Sequence, residues 1–231
     1  MRRDIAVLGF LNNNMLGEVH PDLHGQAMLS DHLERFSPDI VALNETWLDD
    51  SAPRLDVPNY HCVSRRDRPG SKPGLLNHGG VAVYSRVGGI LITHLEDSVI
   101  AERSWHTIHT DLGGILFGTW YRPPGSPHNH IVSLDGELER LSAGMIGCLV
   151  MGDLNIWHKS WLKHSPADTL EGEHLHIICK EHNLTQLVTE PTREPNLLDL
   201  ALSSLGCAVS ASVVPAIADH KGVLVTVCLP L

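Results

Sequence analysis

Short apolar runs bounded by glycine, proline or acidic residues set the strongest limit on what this chain can fold into. DIAVLGFL (4–11), DIVALNETW (39–47), GGVAVYSR (79–86), GGILITHL (88–95), HTIHTDL (106–112), GILFGTWYRP (114–123) and IGCLVMG (146–152) follow one another. LTQLVT (184–189), LLDLALSS (197–204), SASVVPAIADH (210–220) and GVLVTVCLPL (222–231) complete the series. A run of that length between turn residues reads as a buried strand. Helical spacing predicts a helix over 23–37, where Leu29, Leu33 and Phe36 share a face before Pro38. A second is predicted over about 133–143 from Leu134, Leu138 and Leu141. A third opens at Asp168, with Glu171 three residues on as a capping-box partner and Leu175, Ile178 and Cys179 as its buried stripe. Mixed strands and helices without a low-complexity linker predict one domain over 1–231, with sheets covered by helices.

Composition narrows the function classes. No run approaches the roughly 18 apolar residues of a membrane helix, and MRRDIAVLGFLNNN lacks the small-residue cleavage site of a secretory signal. The five cysteines, at 62, 148, 179, 207 and 228, are odd in number and contain no CxxC, so a reducing compartment is expected and a disulfide framework is not. A formal net charge of −10 argues against a nonspecific nucleic-acid coat. An acidic chain can still act on phosphates where a divalent cation bridges the negative charges. EHLHIICKEH puts His174, Cys179 and His182 on a helix without a tight zinc ligand set.

Polar residues collect where the strands end. Asn12 and Asn14 follow the first run, Glu45 closes the second, and Tyr121 and Arg122 end WYRPP. Asp153 and Asn155 follow CLVMG, Asp199 interrupts a leucine run, and Asp219–His220 close SASVVPAIADH. In an extended chain, residues two apart such as Asp153 and Asn155 point to one face. They read either as a strand-end turn or as part of a site on a rigid scaffold. Asp199 among leucines is costly unless paired, and a nearby histidine would satisfy it.

LNETWL, WYRPP, GDLNIWH, PTR with LLDLAL, and ADH, in this order and spacing, resemble the endonuclease/exonuclease/phosphatase superfamily. More narrowly they resemble the apurinic-endonuclease-like domain of non-LTR (LINE-type) retrotransposon proteins, over about residues 5–229. The resemblance implies a DNase I-like four-layer α/β sandwich, two facing mixed β-sheets flanked by helices. It implies metal-dependent hydrolysis that nicks double-stranded DNA, leaving a 3′-hydroxyl and a 5′-phosphate for target-primed reverse transcription. Glu45 would hold Mg²⁺ (Mn²⁺ a candidate substitute), with Asn12 beside it and Asp219 a second metal candidate. Asp153 would orient and deprotonate the attacking water, with Asn155 holding that water or a phosphate oxygen. His220, its ring fixed by Asp199, would contact the scissile phosphate, and Tyr121 would donate to the developing charge. Asn14, Arg122, Trp157, His158 and Thr192 are candidate substrate contacts.

The chain departs from the family pattern at Asn14, where an Asp is common, and at Ala218, where a Ser is usual. RRDRPGSKPG, with Arg65, Arg66, Arg68 and Lys72, reads as a mobile loop that either contacts phosphates or stays solvated. REPNLL is short where some relatives carry a longer hairpin, implying recognition mostly by backbone shape. The WHKSW segment offers Trp157, His158 and Trp161 for base stacking or for packing the loop. The resemblance further implies a domain excised from a longer protein, a reverse transcriptase region as its partner, no membrane, and nuclear and cytoplasmic location. A monomer is expected for the isolated domain. The alternatives are a relative acting on a sugar or lipid phosphate or at abasic sites, and a non-catalytic nucleic-acid-binding module.

Overall fold

The computed structural model describes residues 2–11, 23–48, 57–68, 79–216 and 219–230. Asn12, Asn14, Lys72 and Ala218 lie outside these described residues. The chain begins with β1 (Arg2–Leu11), α1 (Leu23–Phe36), β2 (Ile40–Asn44), β3 (Tyr60–Arg66) and β4 (Val81–Arg86). It continues through β5 (Ile92–Asp97), β6 (Glu102–Thr110), β7 (Gly113–Tyr121), α2 (Asn129–Leu141) and β8 (Gly147–Asp153). It ends with α3 (Leu170–Glu181), β9 (Thr185–Gln186), β10 (Asp199–Ser203), β11 (Val209–Ala216) and β12 (Lys221–Pro230).

The strands form two six-stranded sheets, ordered β11-β12-β1-β2-β4-β3 and β5-β6-β7-β8-β10-β9. Each has one parallel pair at its centre, β1 with β2 and β7 with β8, and antiparallel neighbours on both sides. Parallel neighbours need a crossover, and α1 and α2 lie in those two connections.

The sheets face one another. Met151 of β8 reaches Gly9 of β1, and Thr119 of β7 donates its hydroxyl to Asn44 of β2 at 3.2 Å. Strand periodicity sorts the residues between layers: Ile40 and Ala42 join the cluster between the sheets, while Val41 and Leu43 pack with Leu29 and Leu33 of α1. On the other side, Ile131, Leu134 and Leu138 of α2 and Leu175, Ile178 and Cys179 of α3 are buried in the larger cluster. Each such leucine or isoleucine contributes roughly 1.5–3 kcal/mol by leaving water. The four layers expected from the sequence are present.

Several boundaries differ from the sequence reading. Tyr60–Arg66 is strand β3, so Arg65 and Arg66 belong to a sheet edge rather than a loop. Strand β6 begins at Glu102, ahead of the expected HTIHTDL, because Arg103 is buried against Glu137 of α2 at 2.8 Å and its ring neighbour Trp120. The buried ion pair hides strand character behind charged letters. Helix α2 starts at Asn129, and β9 is only two residues long. The cap of α3 is Thr169, whose hydroxyl accepts from Gly172 N at 3.1 Å, while Asp168 accepts from Lys159 N instead.

Candidate active site

The topology gathers one set of strand ends at a single edge. Strands β1 and β2 run parallel and end there, as do β7 and β8 in the other sheet. Their antiparallel partners β12, β4, β6 and β10 must therefore begin there. Glu45, Tyr121, Asp153, Asp199 and His220 are brought to this edge from five separate strands.

Asp153 is the last residue of β8 and 2 % exposed. Its Oδ1 accepts from Asn155 N at 3.1 Å and its Oδ2 from Asn155 Nδ2 at 2.9 Å. Asn155 has φ 47°, a left-handed conformation asparagine tolerates, so the two side chains meet through a turn and not along an extended strand. The same amide also donates to Arg122 O at 3.1 Å. The turn and the clasp are one structure.

Asp199 lies opposite Asp153 in the β8–β10 ladder. It accepts from His220 Nδ1 at 2.7 Å, which accounts for an acid among leucines. His220 is 1 % exposed, and among the described residues its Nε2 has no hydrogen-bond partner. Burial opposes a proton on this ring, but the bond and charge of Asp199, helped by Asp153 and Asp219, hold its pKa above the ordinary value. Burial, then the charge of Asp199, pushes Asp153 well above the usual carboxylate range, against the pull of His220 and Asn155.

Glu45 accepts a short hydrogen bond from the Tyr121 hydroxyl. Burial above all raises its pKa, and the charge of Asp219 adds to this against the opposing effects of Trp47, His220 and Arg68. Glu45, Asp153, Asp199 and Asp219 thus crowd one region, each feeling at least one other. Clustered carboxylate oxygens are hard donors of the kind Mg²⁺ takes, and Glu45 and Asp219, which feel one another's charge, are the two that could hold it. Asp219 also pairs with Arg193 at 3.0 Å near the surface. Among the described residues no three His, Cys, Asp or Glu side chains are already arranged as a metal cage.

The remaining sequence candidates take other positions. Arg122, 3 % exposed, donates to Ser126 O at 3.1 Å and to Leu154 O and Asn155 O at 3.4 Å, so it braces the loop that carries Asn155. Thr192 is buried, and its hydroxyl accepts from Leu198 N and Asp199 N while its carbonyl accepts from Lys221 N. It ties the strands bearing Asp199 and His220 together rather than facing a ligand. His158 turns to Glu173 at 2.8 Å, and Trp161 stacks on His176, which fastens their loop to α3. Trp157 does line a cleft of about 520 Å³ beside Asn155, with Arg122, Thr169, Glu171 and Arg193. His174 and His182 point to His128 and Asp135, away from any shared ligand position.

At this edge Glu102, which no sequence motif marks, meets Arg68 of the RRDRPGSKPG stretch. Glu102 opens β6 opposite Tyr121, and its carboxylate accepts from Arg68 Nε at 2.6 Å and Gly80 N at 2.7 Å. Their meeting depends on sheet order, which no local spacing reveals.

Two facing mixed sheets between helical layers, with an acid-, amide- and imidazole-lined edge, define a DNase I-like four-layer sandwich. The chain belongs to the endonuclease/exonuclease/phosphatase family, whose model matches residues 13–220. Its fold is similar to that of the endonuclease domain of TRAS1, a telomere-specific non-LTR retrotransposon, with TM-score 0.73 and 14 % identity over 97 % of this chain and 98 % of that one. It is also similar to an AP endonuclease from Leishmania major (TM-score 0.69, 16 % identity, 99 % and 89 % coverage). The human Nocturnin catalytic domain gives TM-score 0.66 and 15 % identity, with 98 % and 94 % coverage. A search of curated proteins returned no match.

Proposed function

We propose that this chain is a metal-dependent DNA endonuclease that hydrolyses one phosphodiester bond and leaves a 3′-hydroxyl for a reverse transcriptase to extend. The observation that carries this reading is the Asp153–Asn155 clasp in one site with a buried His220 whose Nε2 is uncommitted among the described residues. The likeness to a retrotransposon endonuclease domain supports DNA as the substrate.

In this mechanism Asp153 takes a proton from the attacking water, and Asn155, itself held by Arg122 O, orients that water. Burial and Asp199 raise the basicity of Asp153 toward what a base needs near neutral pH. The oxygen of water bonds to phosphorus as the bond to the 3′-oxygen breaks. Asp199 keeps a proton on the His220 ring, so Nε2 donates to a phosphate oxygen. Tyr121 exchanges its bond to Glu45 for one to the developing charge. Mg²⁺ held by Glu45 and Asp219, with Asn12, would neutralise phosphate charge and assist the leaving oxygen.

Supercoiled plasmid tests the reading. Mg²⁺ should convert it to nicked circles, chelator should prevent this, and a polymerase should extend the nicks without phosphatase treatment. Nicking that survives chelator, or ends that need a phosphatase first, would overturn it. Abasic or phosphomonoester substrates cleaved in preference to intact plasmid would move the activity to another branch of the family.

A further inference from the structure

Of the three arginines at the end of edge strand β3 and just beyond it, the fold consumes two. Arg65 forms a two-pronged pair with Asp67, with Nε at 2.8 Å and Nη2 at 2.7 Å from its carboxylate. Arg66 points to the carbonyls of Ser98 and Arg103. Arg68 is treated differently. Glu102 accepts from its Nε at 2.6 Å, and no other hydrogen bond to the guanidinium is formed among the described residues. The side chain lies flat on Gly79, where even a Cβ would come within 2.5 Å of Nε and Nη2. Its charged carbon sits 5.8 Å from the centre of the Tyr121 ring. It remains 32 % exposed, and its charge reaches Glu45.

We infer that Arg68, anchored by Glu102 over Tyr121, binds a backbone phosphate of the nucleic-acid strand beside the reacting centre. The inference rests on the nuclease reading for its substrate class. A planar guanidinium with Nε fixed on Glu102, Nη2 buried without a partner, and the rest of its edge open among the described residues is pre-organised for a phosphate oxygen at that open edge. Carboxylates outnumber the cations His220 and Arg193 at this edge, so a further fixed cation favours the entry of a polyanion into a chain of net charge −10. Topology places Arg68 there: β3 runs antiparallel to β4, so its end meets the beginnings of β4 and β6.

Glu102 acts as a positioning residue for both sides of the contact. Its second oxygen accepts from Gly80 N at 2.7 Å. Gly80 O and Gly79 O in turn accept from Thr46 N and Trp47 N, at 3.3 and 2.9 Å, which holds the segment that carries Glu45. One carboxylate thus fixes the arginine and the candidate metal ligand relative to each other.

The test is binding of a fluorescein-labelled duplex, followed by anisotropy in chelator across a salt series, for wild type, Arg68→Ala, Arg68→Gln and Arg65→Ala. Loss of one phosphate contact should reduce the slope of log Kobs against log salt by about 0.9 in both Arg68 variants. Arg65→Ala, which loses the same charge from a residue paired within the fold, should keep the wild-type slope. With Mg²⁺, Arg68→Gln should lower kcat/KM by ~10- to 100-fold, mainly through KM. Should Arg68→Ala unfold, Arg68→Gln carries the test, because its amide still donates to Glu102. An unchanged slope in Arg68→Gln, or an equal fall in Arg65→Ala, would overturn the inference. Wild-type protein that binds with the full slope yet never nicks DNA would end the nuclease reading and leave the Arg68 contact standing.

Discussion

Asp153 and Asp199 stand directly opposite one another across the β8–β10 ladder, and His220 donates to Asp199. Like charges at paired positions repel, so the imidazolium is what allows two buried acids to share this edge. Removing the histidine or its partner acid should therefore damage one unit. Asp199→Asn and His220→Ala should each lower nicking by ~10²- to 10⁴-fold, and the double variant should fall no more than about tenfold below His220→Ala. Single-turnover rates on plasmid measure this. Fully additive losses would assign Asp199 a separate purpose.

The same pair has a pH signature in stability. The folded pKa of His220 is raised, so the contribution of its bond to Asp199 is complete below the unfolded value of 6.5 and disappears as pH rises through the folded pKa. Urea unfolding in chelator should show Asp199→Asn less stable than wild type at about pH 6, with the gap narrowing by about pH 9. A gap that widens with pH would reverse the sign assigned to the pair.

The legible and illegible parts of this molecule divide by burial and by sheet order. Strands such as Ile40–Asn44 and Asp199–Ser203 are buried on both faces and read as apolar runs. Edge strand β3, YHCVSRR, is half-buried and polar, so it offers no such run. The start of β6 is masked by Glu102 and Arg103, whose partners Arg68 and Glu137 lie 34 residues away in either direction. At the site, Asp153, Asn155, Asp199 and His220 were visible because each ends or interrupts an apolar run. Arg122 also ends an apolar run and Thr192 stands in the PTR stretch that carries the resemblance, yet the structure turns both toward backbone groups. Sequence marks which residues sit at a strand end, and packing decides which of them face outward.

Gly152 should be irreplaceable. Its φ is 153°, and a Cβ would fall 1.8 Å from Trp120 O on neighbouring β7, a backbone atom with nowhere to move. The next residue is Asp153, so any adjustment displaces the proposed base. Gly152→Ala should cost roughly 3 kcal/mol or more and reduce nicking even in molecules that remain folded. Denaturant midpoints together with nicking rates would show it. Wild-type values for both would mean that β7 and β8 can separate at this point without consequence.

Acid should loosen the gap between the sheets through His106. This residue is fully buried in β6, and its Nε2 lies 2.6 Å from the Ser64 hydroxyl on β3 of the facing sheet. Burial first, then the charge of His94, lowers its pKa from 6.5 to about 4. The unfolded chain thus binds the proton more readily than the folded one between these values. Stability must rise with pH through that window and fall as pH drops from 6.5 toward about 4, with no further loss from this group below it. A shift of this size corresponds to at most about 3 kcal/mol. His106→Gln keeps a polar group within reach of Ser64 but cannot take up a proton in this range. Urea unfolding of wild type at about pH 7 and about pH 4.5 should show the acid loss, and His106→Gln should lose markedly less over the same interval. Equal losses in the two proteins would place the acid sensitivity elsewhere and leave His106 a packing residue only.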